Sequence, residues 1–249
     1  MHHMSTFVCV TGASSGIGSA LAASVPFEEC TLIGVSRRPP VTGQWIEADL
    51  ADPAVWPLVG GTLADALAAR RYDRAVLLHF AGVGTPYLST ADADLHEYTA
   101  AVLLNCAAGP VLGKAFISAC RAAGVPATVV LCSSPGAATP MPGMSHYGAG
   151  KLGMEYWVRA VAAEHGDGDR VRALAVVPFA VDTPMVRDVI GQADGAPPVA
   201  AILREAAARG ELANAEATAA EIWRLVLEPG ESGAVVPVGA VPAGVRDAG

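Results

Sequence analysis

Unbroken apolar runs alternate with helix-length segments along almost the whole of this 249-residue chain. Residues 7–11, 30–36, 75–79, 128–132, 171–177 and 234–238 read as strands, and residues 17–25, 92–123, 147–164 and 217–227 as helices. A strand with one wet face alternates apolar with polar side chains, whereas a strand apolar at successive positions is covered on both faces. Strand–helix alternation therefore predicts an α/β fold, a doubly wound parallel sheet with helices on both sides. No Ser/Gly-rich linker or internal repeat divides the chain, so one domain over residues 5–239 is expected. Residues 182–214 break the rhythm with Pro184, Gly191, Gly195, Pro197, Pro198 and Gly210. They read as two short helices with mobile joints, a substrate-loop or lid insertion before the last helix and strand. Met1 to Met4 read as a tag remnant and residues 240–249 as a Pro/Gly-rich tail.

Composition removes whole classes of function. Apolar residues make up 52 % and charged residues 16 %, which excludes a disordered chain and a coiled coil. The net charge is −8 and no basic cluster stands out, so nucleic-acid binding is not expected. No uninterrupted apolar run approaches the roughly 20 residues of a bilayer span, so no membrane partner is expected either. The cysteines, Cys9, Cys30, Cys106, Cys120 and Cys132, are odd in number, scattered, and form no CxxC. Neither a disulfide framework nor a zinc site is indicated, no His/Asp/Glu cluster suggests another metal, and reduced thiols point to the cytoplasm.

Thr11-Gly12-Ala13-Ser14-Ser15-Gly16-Ile17-Gly18 follows the first strand and opens a helix. Glycines permit a tight turn and close backbone approach to a pyrophosphate, and the helix N-terminus supplies free N–H donors and a positive dipole end. Glycine turns are common, and it is the strand before and the helix after that give this one meaning. At the end of the second strand an acidic residue would accept from the ribose hydroxyls of NAD. Here the strand ends Ser36-Arg37-Arg38, and guanidinium groups suit a 2′-phosphate through charge-assisted hydrogen bonds. NADP(H) is the expected cofactor, with Asp49 and Leu50 along the adenine edge.

Tyr147 and Lys151 stand four apart, on one face of a helix. An ammonium beside a phenol favours the phenolate, making the tyrosine a plausible general acid in reduction and base in oxidation. Ser134 lies thirteen residues before Tyr147, just past a strand, where its hydroxyl can hydrogen-bond a substrate carbonyl.

With these motifs in their order, the sequence from Thr6 to about Gly239 resembles the short-chain dehydrogenase/reductases of the compact single-domain type. The resemblance implies a Rossmann-type sheet of about seven strands. It matches Thr11-Gly12-x-x-x-Gly16-x-Gly18 to the cofactor turn and Ser134, Tyr147 and Lys151 to the catalytic triad. Asn105 matches the fourth catalytic position, associated with a helix irregularity and a water linking to the lysine. Arg37 matches the NADP-selecting position. Val181, Thr183 and Met185, after Pro178, match the segment at the nicotinamide carboxamide. The implied chemistry is hydride exchange between NADP(H) and a carbonyl or alcohol carbon. Tyr147 would protonate the oxygen, Ser134 would hold it, and Lys151 would hold the nicotinamide ribose and tune Tyr147.

Two departures stand out. The family's Asn-Asn-Ala-Gly is here His79-Phe80-Ala81-Gly82. Ala81 and Gly82 still permit backbone approach to a cofactor, His79 reads as a satisfied core histidine, with a pH-sensitive group near the site as the alternative, and Phe80 most simply fills core volume. Phe179 replaces the glycine usual after Pro178, and either narrows the substrate pocket or packs inward. Pro135, Met141, Met144, Phe179, Met185 and Val186, with Ser134 and Tyr147, form the expected substrate lining. That lining is apolar and adaptable and suits a small apolar or aromatic carbonyl compound. Ser36-Arg37-Arg38-Pro39 and Val181-Asp182-Thr183-Pro184-Met185 look most similar to the benzil reductase and sepiapterin reductase branch. The family also implies a homodimer or homotetramer. Two other readings stand beside the reductase: an NADP(H)-binding sensor or scaffold without turnover, and a pterin reductase.

Overall fold

Seven strands pair in parallel, in the order β3-β2-β1-β4-β5-β6-β7, in the computed structural model of the chain. It describes residues 4–165, 169–192 and 197–239. Met1 to His3 of the expected tag remnant, Gly195 of the expected insertion and the tail 240–249 lie outside them. The strands are β1 (Ser5–Thr11), β2 (Glu29–Ser36), β3 (Gln44–Glu47), β4 (Arg74–His79), β5 (Ala127–Cys132), β6 (Val171–Pro178) and β7 (Val235–Val238). Strand order runs outward from β1 to β3 and then resumes at β4 on the other side of β1. The C-terminal ends of β1 and β4 thus flank the switch point where open α/β sheets bind ligands.

Successive side chains of a strand face opposite ways, and both faces here are core. Phe7 and Cys9 of β1 and Leu77 of β4 pack with Val59, Leu63, Leu112, Phe116, Met154 and Val158. These belong to α2 (Trp56–Ala68), α4 (Gly109–Ala123) and α5 (Ser145–His165). Val8, Val10, Val76 and Leu78 face the other way, onto Leu21, Ile222 and Trp223. These belong to α1 (Gly16–Ala23) and α8 (Ala215–Leu227). The continuous apolarity of the strands thus has the physical origin expected of it.

The sequence reading omits α2. Gly60 and Gly61 in its middle are poor helix formers, but Pro57 stands in its first turn and Val59, Leu63 and Leu67 bury one stripe. The single helix expected over 92–123 is three pieces: α3 (Leu95–Val102), one stretch of π-helix (Leu103–Ala108) and α4. By length and mean hydropathy (1.6) Leu95–Ala123 qualifies as a bilayer-crossing helix, which a search for uninterrupted runs does not register. Here its apolar stripe, Leu112, Phe116, Ala119 and Cys120, packs into the sheet's core. Within 182–214 lie α6 (Pro184–Gly191) and α7 (Val199–Ala208).

Candidate active site

The turn after β1 is built for close approach. Gly12 has φ +69°, donates its N–H to Val35 O at 2.9 Å, and a methyl on it would sit 2.8 Å from Ala81 N. A methyl on Gly18 would run into the Gly12 carbonyl. Ser15 caps α1 without a side-chain hydrogen bond, so its side chain leaves the first-turn N–H groups to other acceptors. Ser14, Ser15, Gly16 and Ile17 are half-buried along this rim. A turn that tolerates no Cβ at Gly12 or Gly18, beside a helix start whose cap residue bonds none of its N–H groups, fits a dinucleotide pyrophosphate. Gly16 abuts the other wall: a methyl there would lie 3.2 Å from Thr183 Cγ2.

At the adenosine end, the Ser36 hydroxyl is turned inward, donating to Arg38 O at 2.6 Å, and Trp45 Nε1 donates to Ser36 O at 3.0 Å. Arg37 is 76 % exposed, with its guanidinium 3.9 Å from Asp49, and Arg38 is exposed as well. Asp49 also accepts from Ala51 N at 3.1 Å. The Leu50 side chain is buried in the core, so it is its backbone that is left to border a ligand.

His79 knits the cofactor turn to the strand beside it. Thr11 Oγ1 lies 3.2 Å from both Phe80 N and Ala81 N, which donate to it, and 2.9 Å from His79 Nδ1. With both lone pairs accepting, the threonine proton points to Nδ1, so the ring proton sits on Nε2. Nε2 is buried and has no hydrogen-bond partner among the described residues, so the core histidine expected to be satisfied is satisfied at one nitrogen only. Burial and then the Lys151 charge hold the imidazole pKa down to about 3, so His79 is a neutral structural group. Phe80 packs with the core on the α1/α8 face.

Of the residues matching the family's catalytic positions, Asn105, Tyr147 and Lys151 meet near the C-terminal ends of β4 and β5, and Ser134 lies two residues past the end of β5. Lys151, in α5, is buried, and its Nζ donates to Cys132 O at 2.7 Å and stands 5.3 Å from the Tyr147 ring centroid. Asn105 lies in the π-helix, fully buried, and clasps the loop after β4: Nδ2 donates to Val83 O at 2.8 Å and Val83 N donates to Oδ1 at 3.0 Å. A methyl on Gly82 would be 3.2 Å from Asn105 Oδ1 and 3.7 Å from Lys151 Nζ, and one on Gly150 would be 2.5 Å from Asn105 O. Two missing side chains therefore let the loop, the π-helix and α5 meet at the lysine. Ser134 Oγ accepts from Gly136 N at 3.2 Å and caps the one-turn 3₁₀ segment Pro135–Ala137, which leaves its proton for another acceptor.

An apolar wall stands against Tyr147. Tyr87, Met144, Val189 and Ala200 cluster there, with Met141, Tyr147, Val199 and Leu203 packed on them. Tyr87 donates to Asp188 at 3.0 Å, and burial together with that carboxylate pushes its phenol pKa up. This bond ties α6 to the loop after β4. Thr183 caps α6 by accepting from Val186 N at 3.3 Å, and Val181 is buried in a bridge to Ala213. Pro178, Phe179, Met185 and Val186 are half-buried, and Ala180 takes the left-handed conformation, φ +39°. The sequence reading misses Tyr87, Asp188, Ala200 and Leu203, because no spacing rule joins positions so far apart.

The chain matches the short chain dehydrogenase family over residues 6–193. It is 28 % identical over 198 residues to an uncharacterized short-chain type dehydrogenase/reductase of Sinorhizobium fredii, covering 73 % of this chain but 34 % of that longer protein. It is 29 % identical over 204 residues to 1-deoxy-11-beta-hydroxypentalenate dehydrogenase of Streptomyces avermitilis, covering 76 % of this chain and 74 % of that one. It is 25 % identical over 199 residues to the (S)-benzoin-forming benzil reductase of Saccharomyces cerevisiae, covering 75 % of each. The backbone superposes on 4-hydroxyisoleucine dehydrogenase complexed with NADH with a TM-score of 0.79, at 14 % identity over 96 % of this chain and 99 % of that one, a likeness of fold. With the family matched across three quarters of its length and the sheet complete, the chain belongs to the short-chain dehydrogenases, NAD(P)(H)-dependent oxidoreductases of carbonyl and alcohol groups.

Proposed function

We propose that this protein is an NADP(H)-dependent reductase of a small, apolar or aromatic carbonyl compound, working reversibly on the matching alcohol. The observation that carries the reading is the buried Lys151 ammonium held beside the Tyr147 phenol. Gly12, Ser14, Ser15, Gly16, Ile17 and Gly18 would hold the pyrophosphate. Ser36, Arg37 and Arg38 would hold the 2′-phosphate, and Asp49 with the Leu50 backbone would border the adenine. Ala81, Gly82, Pro178, Val181, Thr183 and Met185 would flank the nicotinamide, with Tyr147 and Lys151 at its ribose. When bound, the dinucleotide supplies the hydride. Tyr147 then carries the proton at its phenolic oxygen and gives it to the carbonyl oxygen, while Ser134 donates a hydrogen bond to that same oxygen. Lys151 keeps positive charge beside the phenol, and Asn105 holds the 82–83 backbone against it. General acid catalysis of this kind supplies about 10²–10⁴ in rate.

Pro135, Met141, Met144, Phe179, Met185 and Val186 give the substrate an apolar, deformable surround, and α6 and α7 act as its lid. The relative from Saccharomyces is named for the reduction of benzil, which supports an aromatic carbonyl substrate here. The exposed Arg37, only loosely paired, supports NADPH over NADH. Work in the cytoplasm belongs to the same proposal, as does a homodimer or homotetramer, for which Leu152 and Tyr156, exposed one turn apart on α5, offer an apolar contact.

NADPH oxidation followed over diketones, quinones, aldehydes and sepiapterin tests the activity. Turnover of an apolar diketone is the expected result, and no turnover of any member would defeat it. Arg37→Ala is expected to weaken NADPH binding about tenfold or more, while NADH binding changes little, as loss of a charge-assisted contact implies. Equal losses would contradict the cofactor choice.

A further inference from the structure

Tyr147, Lys151, Glu155 and Arg159 follow one another at four-residue intervals along one face of α5. The first two belong to the proposed site, whereas Glu155 matches no motif. Its carboxylate is nevertheless withdrawn from water, 12 % exposed, and its Oε1 accepts from the Ser133 hydroxyl at 2.6 Å. A shielded carboxylate is costly, and an apolar residue of the same volume often stabilises a fold better. The only cation paired with it among the described residues, Arg159, lies 3.4 Å away and is itself 55 % exposed, too wet to offset much of that cost. Stability does not explain why Glu155 is there.

Its partner does. Ser133 is buried between Cys132, whose carbonyl accepts from Lys151 Nζ, and Ser134. Its N–H is fixed to Val176 O at 2.7 Å. Among the described residues the short polar side-chain ties between the end of β5 and α5 are Lys151 to Cys132 at 2.7 Å and Ser133 to Glu155 at 2.6 Å, beside a long one from the Ser133 hydroxyl to Lys151 O. Without the second, the lysine ammonium, the group that must also serve the phenol and the ribose, would be the main side-chain tie between the end of β5 and α5, although the sheet still pairs that end with β6. The next acceptor within reach of the Ser133 hydroxyl, Lys151 O, is 3.5 Å away, at the limit of a hydrogen bond.

We propose that Glu155 is a positioning residue: through Ser133 it sets Ser134 and the end of β5 in register with Tyr147, leaving the Lys151 ammonium free for catalysis. The proposal rests on the reductase reading above. It is tested on the full chain by kcat, KM, NADPH dissociation constant and thermal midpoint for the parent, Glu155→Gln, Glu155→Leu, Ser133→Ala and Ser133→Ala/Glu155→Leu. Misplacement of reacting groups by about 1 Å costs up to about 10²-fold. Glu155→Leu and Ser133→Ala are each expected to lower kcat about 10- to 100-fold, with NADPH affinity held within about twofold. The double variant should be no slower than the slower single one, because both remove the same tie. Glu155→Gln, whose amide oxygen still accepts from Ser133, should restore most of kcat. Undiminished kcat in Glu155→Leu, failure of glutamine to rescue, or losses that multiply in the double variant would overturn the proposal. Should Glu155→Leu not fold, Ser133→Ala decides by the same kcat criterion. A parent without turnover on any carbonyl overturns the reductase reading and this proposal with it, whereas an active parent with indifferent variants overturns only the proposal.

Discussion

Thr11 ties two amides and one imidazole with a single hydroxyl, and that small knot shows what can be read from one residue and what cannot. A threonine before a glycine turn is visible in the sequence. That its partner is His79, standing where the family has an amide, becomes visible only when β1 and β4 pair and set Thr11 opposite His79. The consequence is measurable. His79→Leu removes the acceptor of the threonine proton and should destabilise the fold by about 1–3 kcal/mol. His79→Asn, which offers an amide oxygen, should cost less. Urea denaturation of the two variants checks this, and equal losses would show that the ring's volume, not its nitrogen, matters. Leu50 is the opposite case. Its position after the third strand suggests an adenine contact, and the burial of its aliphatic side chain leaves the backbone to make it.

The elements that carry strong local signals were legible: the glycine turn, the helix with Tyr147 and Lys151, and the apolar strands. A helix interrupted by Gly60-Gly61 was not, because packing of Val59, Leu63 and Leu67 overrides propensity. Nor was the contact between α6 and the loop after β4, made by Tyr87 and Asp188 across 101 positions. Two outcomes follow for these elements. Gly12→Ala forces a left-handed residue and a methyl 2.8 Å from Ala81 N. It should lower the thermal midpoint and abolish tight NADPH binding together. Tyr87→Phe deletes a hydrogen bond to a carboxylate, worth about 1.5–3 kcal/mol. Amide exchange in α6 should then accelerate about tenfold or more, if that bond is what keeps the helix docked. Unchanged exchange would mean that Val189 and Ala200 hold it alone.

At the scale of the molecule, stability should depend on pH in a particular direction. His79 is held down to about 3 in the fold, against about 6.5 in an unfolded chain. Between those values the unfolded chain binds the proton and the folded one does not, so stability falls as pH drops from about 6.5 toward 3, by roughly 1.4 kcal/mol per unit. His146, also lowered, chiefly by burial, adds in the same sense. Denaturation from pH 7.5 to 4.5 should show a steeper loss in the parent than in His79→Asn, and parallel curves would contradict the neutral buried imidazole. The whole account, however, stands on the proposal that the Tyr147 phenol, with the buried Lys151 Nζ 5.3 Å from its ring centroid, is the acid in carbonyl reduction. The most direct test is Tyr147→Phe, assayed for both carbonyl-dependent NADPH oxidation and NADPH affinity. Turnover should fall about 10²–10⁴-fold while affinity stays within about twofold, as removing a general acid from an intact binding site requires. A phenylalanine variant that reduces the best substrate at the parental rate would contradict it.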